Sequence, residues 1–202
     1  MKEQPLAADC LRYLWDHHDI WVALVDRDFE AQFALCCYAI AEGHEDLIMQ
    51  WLQVELPESA TAHLGRHHEH TWRGQLLRSL VEAHLALDCV HSADPALYCL
   101  FKFDDLKRYA KVAYTQRLEE QGGDVPPPPI LYTSKWPANI AIRSALFSGQ
   151  YLNTSASLYD KYVRFRRLFT PRRPKTVCRS AMLCYSSAIR DDLRPTSLYA
   201  SF

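Results

Sequence analysis

The chain has 202 residues, of which 49% are hydrophobic and 12% aromatic, and its formal net charge is -1 at pH 7. So many apolar and aromatic residues exclude disorder over most of the length. Charged residues interrupt every apolar run before it reaches the roughly 18 residues that a membrane span needs, so we expect no membrane partner. The first ten residues lack the apolar stretch of a secretory signal, which predicts an intracellular protein.

Seven cysteines, an odd number without any Cys-x-x-Cys pair, favour reduced thiols over disulfides or a metal site. Cys36, Cys89 and Cys99 fall among apolar neighbours, where a free thiol packs as a small hydrophobic group, so we expect them to be buried. Reduced thiols fit the cytoplasm or the nucleus, with the mitochondrial matrix as a further compartment.

The first predicted elements are two helices joined in a hairpin. Asp28 suits the N-cap of a helix that Gly43 ends, and a second apolar stripe precedes Pro57. The stripes recur at helical spacing and contain Phe29, Phe33, Cys36 and Ile40, then Leu47, Ile48, Trp51 and Leu52. Each helix needs the other to cover its apolar face. Residues 20–25 form one of two candidate strands in the sequence, and residues 130–132 form the other.

A third helix is predicted over 72–88, with His84 packed and bonded to the carboxylate of Asp88 one turn later. Asp94 and Pro95 then start a further helix, because Asp caps free N–H groups and Pro suits the first helical position. The two glycines and four prolines of 121–129 interrupt the helical pattern and predict an extended hinge. A helix over 136–148 follows and ends at Gly149, and Asn153 is the expected cap of the next.

These elements predict an all-α protein of packed helical hairpins, arranged as an irregular α-solenoid, with a disordered basic C-terminal tail. The predicted organisation has an acidic helical domain over 1–120, a Gly/Pro-rich hinge over 121–134, a basic helical hairpin over 135–169 and a poorly ordered tail over 170–202. Residues 135–202 hold 12 Lys and Arg against three Asp, a net charge of +9, which leaves -10 for the first 134 residues. Such an asymmetry indicates either two halves that attract each other or a segment that docks on an acidic surface.

One pattern of Ala, an apolar residue, two further residues and Gly occurs twice, at 39–43 and at 145–149. In both places it stands at the end of one predicted helix and before another, where Gly supplies a left-handed conformation. Here the sequence resembles α-helical repeat proteins of the tetratricopeptide, pentatricopeptide and ankyrin kinds. The resemblance covers about 45 residues and carries over an architecture but no functional residue. It implies a protein that binds other proteins or single-stranded RNA.

A run of histidines precedes the third helix and is a candidate metal site. Four imidazoles within eight residues are able to bind zinc or nickel, although no His-Glu-x-x-His motif accompanies them. The favoured interpretation is a solvated loop, so we expect no bound metal and no cofactor. The candidate ligands are His63, His67, His68 and His70.

The second candidate site is a basic segment over 161–179. Arginines there alternate with aromatic residues, a combination that holds phosphates and stacks bases. The alternative places the aromatic side chains in the core and the arginines on a solvated face. The residues predicted to bind nucleic acid or an acidic partner are Arg164, Arg166, Arg167, Arg172, Arg173 and Lys175.

Glycine-rich phosphate loops and the Gly-x-Ser-x-Gly elbow of hydrolases are absent from the sequence, so an enzyme is the less favoured class. The leading hypothesis is a non-enzymatic helical scaffold, or protein-interaction module, with a protein partner. The first alternative is an RNA-binding helical-repeat protein that uses the basic segment. The second is a metal-binding protein or enzyme that uses the histidine run.

Overall fold

The computed structural model describes residues 6–56, 68–121 and 125–167, while the side chains of 22, 25–27, 68–70 and 167 lie outside that description. Every regular element in this part is a helix, which confirms the all-α class. In none of these helices do length and hydrophobicity together reach what a membrane crossing requires. The α-helices are α1 (Leu6–Asp16), α2 (His18–Arg27), α3 (Phe29–Ala41), α4 (Glu45–Trp51), α5 (His68–Leu87), α6 (Asp94–Gln121), α7 (Trp136–Phe147) and α8 (Ala156–Arg167), and Pro129–Leu131 forms a 3-10 turn.

Helix α5 is the central element, and α2, α3, α6 and α7 all pack against it. No residue from Trp72 to Leu85 is exposed, and Leu76, Leu80 and Val81 are fully buried. Neighbours on several sides explain why this helix buries more than one stripe. The helix predicted over 72–88 is confirmed, but it begins one turn earlier, at His68.

The N-cap of α3 and the turn of the predicted α3–α4 hairpin are confirmed. The predicted apolar stripe was wrong in part, because Phe29 is exposed and α3 buries Gln32, Cys36 and Ala39, mainly against α5. The Oδ1 atom of Asp28 accepts a hydrogen bond of 2.9 Å from the backbone N–H of Ala31. Gly43 has a φ of 76°, in the left-handed region that glycine enters without steric cost, and Gly149 after α7 has a φ of 72°. Both glycines therefore end their helices as predicted.

Both candidate strands were wrong. Residues 20–25 lie within α2, where Trp21 is buried and its ring contacts those of Trp51 and Trp72. The second candidate overlaps the 3-10 turn Pro129–Leu131. Tertiary packing of aromatic side chains outweighs the weak strand preference of such short apolar runs.

The segment from Val125 to Lys135 is fastened to α6. The Tyr114 hydroxyl donates to the Val125 carbonyl at 2.9 Å, and Lys107 Nζ donates to the Thr133 carbonyl at 2.7 Å. Lys135 forms an ion pair with the buried Asp104 carboxylate. These contacts set the position at which α7 begins.

Three predicted partners of polar side chains, and one predicted burial, need correction. Nε2 of His84 lies 3.0 Å from Oε2 of Glu45 on α4, whereas Asp88 accepts from the backbone N–H of Ser92. Asp94 accepts from the Ser155 N–H instead of capping its own helix. Asn153 donates to the Val90 carbonyl, and Cys89 is exposed. His84, Asp94 and Asn153 thus contact residues that are distant in sequence. Asp88 and Cys89 belong to the turn that follows α5.

The contacts within the chain divide it into two units, 1–159 and 160–202, and the structure describes residues 160–167 of the second. The predicted domain bounds at 120, 134 and 169 stay predictions. The predicted tail over 170–202 lies outside the described residues.

Candidate interaction surface

The basic segment predicted to bind nucleic acid is described only at its beginning, on α8. Arg164 is exposed and Arg166 is half-buried, while Tyr162 and Phe165 are buried. These two aromatic rings are therefore not displayed beside the arginines in the way that base stacking needs. Arg167 ends α8, but its side chain is not described. The remaining predicted residues, Arg172, Arg173 and Lys175, lie outside the described part of the chain.

The histidine run is divided between a part that is not described and the first turn of α5. His63 and His67 lie outside the described residues, and His68 and His70 belong to α5 with side chains that are not described. The expectation of a loop there was wrong for residues 68–70. Among the residues that the structure does describe, no three His, Cys, Asp or Glu side chains come together as a metal site.

A polar cluster joins α4, α5 and α6 beside the buried thiols of Cys36 and Cys99. Glu45 lies against His84 and 3.4 Å from Nζ of Lys102, which also contacts Asp46 at 2.6 Å. Contact with His84 is the largest cause that lowers the pKa of Glu45. Burial, followed by the charge of Glu45, raises the pKa of the nearby Cys99 thiol. Since the thiolate is the reactive form, burial, with a smaller effect of Glu45, keeps this sulfur in its unreactive form. The cluster itself joins α4, α5 and α6.

Helix α7 packs on α5 through small residues. A Cβ atom on Gly74 would lie 3.0 Å from the Ser134 carbonyl oxygen and 3.8 Å from Cγ of Pro137. Glycine therefore allows the start of α7 to approach α5 closely. On α7 itself, Ala138 and Ile142 are fully buried.

The opposite side of α7 carries large apolar residues that face solvent. Trp136 is 59% exposed, Ile140 is 50% exposed and Phe147 is 73% exposed. Since an α-helix turns about 100° per residue, these positions lie within roughly 40° of one another, along a stripe about 16 Å long. We call Trp136, Ile140, Arg143 and Phe147 the α7 face. Contiguous exposed apolar residues of this kind mark interaction sites more often than scattered ones do.

The charge on the α7 face is positive. The Arg143 guanidinium lies 5.4 Å from the centre of the Phe147 ring and forms no ion pair within the described part of the chain. No Asp or Glu occurs between residues 125 and 159. Lys135, next to the stripe, has its charge neutralised by Asp104. The face therefore combines apolar area with one cation, Arg143, that has no carboxylate partner among the described residues.

The sequence predicted α7 as a helix but did not single out its outer residues as a site. The helix is apolar on both sides, so the pattern did not indicate which side stays open. Residue size did not decide the question either, because bulky Ile142 and Leu146 occur on the same helix as Trp136, Ile140 and Phe147. Comparison with protein-family models, with curated proteins and with solved structures finds no match to this chain.

Proposed function

We propose that this protein is a non-enzymatic helical scaffold that binds a protein partner through the α7 face. The observation that carries the proposal is the exposure of Trp136, Ile140 and Phe147 along one side of a helix whose other side is packed. Aromatic residues contribute most of the binding free energy in many protein interfaces, since each covers a large area at little cost in conformational entropy. The helical-repeat resemblance fits the same function, and a solenoid-like stacking of hairpins is part of the proposal.

The chemistry of the face indicates an amphipathic helix with acidic flanks as the partner. A straight stripe about three turns long matches the apolar positions i, i+4, i+7 and i+11 of a facing helix. Arg143 supplies a positive charge beside the apolar residues, and the surrounding segment has no carboxylate to repel an acidic partner. Complementary charge adds specificity and association rate to the apolar contact.

Selection from a displayed library of amphipathic helical peptides tests this proposal. The flanking positions of the peptides are randomised among acidic, basic and neutral residues. We expect selected peptides to be enriched in Glu and Asp, and to lose at least about tenfold in affinity for the Trp136→Ser protein. The matched control is Tyr109→Ser, which removes an exposed aromatic side chain from α6 and should leave binding unchanged.

Two results would contradict the proposal. One is equal peptide binding by the wild type and by a Trp136→Ser, Phe147→Ser double variant. The other is a homodimer that sedimentation detects and that Trp136→Ser dissociates, because a second copy of the chain would then occupy the face. RNA binding by the basic segment stays the alternative, supported within the described residues by the exposed Arg164.

A further inference from the structure

A second feature of residues 1–159 shares no residue with the α7 face and lies where the α5–α6 turn meets the α7–α8 turn. A cleft of about 430 Å³ opens between these turns. This volume falls within the range of small-ligand sites in proteins. The lining residues are Leu85, Ala86, Asp88, His91, Gln150 and Tyr151.

Hydrogen bonds between the two turns brace the cleft. The Tyr151 hydroxyl donates to the Leu85 carbonyl at 3.1 Å, and the backbone N–H of Asn153 donates to the His91 carbonyl at 3.1 Å. The Asn153 side chain donates to the carbonyl of Val90. These bonds, together with those of Ala93 to Thr154 and Ser155 to Asp94, hold the walls at a fixed separation.

The backbone of the α5–α6 turn is held in an uncommon conformation. His91 has a φ of 55°, and it is the one residue other than glycine with positive φ in the described part of the chain. Residues held in sparsely populated conformations occur preferentially at functional sites. Asp88 Oδ2 accepts a 2.7 Å hydrogen bond from the Ser92 N–H, which braces this turn.

The cleft is electronegative. Leu85 and Ala86 belong to the last turn of α5, where the carbonyl end of the helix carries a partial negative charge. Asp88 adds a full negative charge directly after this turn, and the neutral Gln150 amide offers both a donor and an acceptor. No Lys or Arg is among the six lining residues, although the imidazole of His91 is, and Leu85 and Tyr151 are the larger residues with apolar groups in the lining.

We infer that this cleft binds an organic cation, an alkylammonium or guanidinium group with an apolar stem. The stem lies against Leu85 and Tyr151, and the cationic group faces Asp88 and the carboxyl end of α5. Two sources supply this chemistry, a small free amine and the Lys or Arg side chain of a peptide. The inference rests on the cleft alone and is independent of the α7 face.

Titration of the 15N-labelled full chain, followed by NMR, tests the inference with defined probes. The probes are n-butylammonium, methylguanidinium and acetylated, amidated Gly-Lys-Gly and Gly-Arg-Gly peptides, with the Gly-norleucine-Gly peptide as the neutral control. We expect saturable shifts in 85–94 and 148–155 with dissociation constants on the order of millimolar. A peptide that binds tighter than the matching free cation identifies a side chain as the natural ligand, and the reverse order identifies a small amine.

Two variants assign the effect to the cleft. Asp88→Asn keeps an oxygen acceptor for the Ser92 N–H but removes the charge, and should weaken binding at least about fivefold. Gln150→Lys places a competing cation at an exposed position and should abolish binding; the control Asp16→Asn removes an exposed carboxylate on α1. Equal shifts with the norleucine peptide, unchanged affinity in both cleft variants, or no saturable shift up to about 50 mM would overturn the inference.

Discussion

Nε2 of His84 on α5 lies 3.0 Å from Oε2 of Glu45 on α4, and this contact connects the central helix to the α3–α4 hairpin. Lys102 on α6 reaches the same carboxylate from the other side. Three helices thus share one ionised group.

Replacing Glu45 should make stability depend less on pH in the acid range. Contact with His84, and then the charges of His84 and Lys102, lower the pKa of Glu45 against the opposing effect of partial burial. A carboxylate with a lowered pKa stabilises the fold above its ordinary pKa of about 4.3, and this contribution is lost as pH falls through the lower folded-state pKa. Glu45→Gln should therefore reduce the free energy of unfolding at pH 7 by roughly 1–2 kcal/mol.

Urea denaturation of both proteins between pH 7 and pH 3 measures this effect. The difference between wild type and Glu45→Gln should shrink below about pH 4.3. A difference that stays constant down to pH 3 would show that the Glu45 charge does not provide the stabilisation.

Lys135→Met should destabilise the protein and loosen the segment that precedes α7. Lys135 and Asp104 are both about nine-tenths buried in their side chains, so removal of Lys135 leaves the buried Asp104 carboxylate without its buried cation. Arg108 still contacts Asp104 at 2.9 Å. We therefore expect the free energy of unfolding to fall by about 3 kcal/mol, which is the low end of the range for a broken buried ion pair. Hydrogen exchange of the backbone amides of residues 130–134 should accelerate in the same variant.

Arg108→Met is the matched control for that experiment, because it removes the other cation from the same carboxylate. Arg108 is 67% exposed, so its loss should cost no more than about 1 kcal/mol. An equal cost for the two variants would contradict the assignment of Lys135 as the fastening residue.

Phe147→Ser should change the free energy of unfolding by less than about 0.5 kcal/mol, since the side chain is 73% exposed. Ile142→Ala, on the buried side of the same helix, should cost roughly 2–5 kcal/mol. Thermal and urea unfolding compare the two. A large loss for Phe147→Ser would mean that the α7 face stabilises the fold and is not free to bind a partner.

Gly74→Ala should fail to stabilise α5. Alanine within a helix is ordinarily favoured over glycine by about 1 kcal/mol, but here its Cβ would press on the Ser134 carbonyl oxygen at 3.0 Å. Gly74→Val should destabilise by about 1–3 kcal/mol through overpacking. If urea denaturation showed that Gly74→Ala raises the free energy of unfolding by the full gain of about 1 kcal/mol, α7 would be able to shift away from α5 without loss of stability.

If the scaffold proposal is right, the basic segment should show negligible affinity for single-stranded RNA. Filter binding at varied salt, for the wild type and for a protein with Arg166, Arg167, Arg172 and Arg173 changed to Gln, measures this directly. We expect negligible affinity in both near physiological ionic strength. Submicromolar binding that falls steeply with salt, and that the substitutions weaken, would establish the RNA-binding alternative, because phosphate contacts release counterions.

The sequence alone predicted the helices that local chemistry specifies. Asp28 caps α3 by accepting from the backbone N–H of Ala31, three residues later in the chain. Gly43 and Gly149 end their helices because glycine adopts a positive φ without steric cost. These interactions span only a few residues, so they are present in the pattern itself. The start of α5 at His68 was missed because its first turn comes before the apolar stripe.

Only the tertiary structure decided the partners of polar side chains that have several choices within reach. Asp94, a reasonable cap for α6, accepts instead from Ser155, 61 residues away, and His84 faces Glu45, not Asp88. Tertiary structure likewise selected the open side of α7, since both sides are apolar in sequence. At Gly74 the start of α7 approaches α5 closely, which favours a small residue such as Ala138 on the buried side of α7. The bulky residues Trp136, Ile140 and Phe147 consequently face solvent.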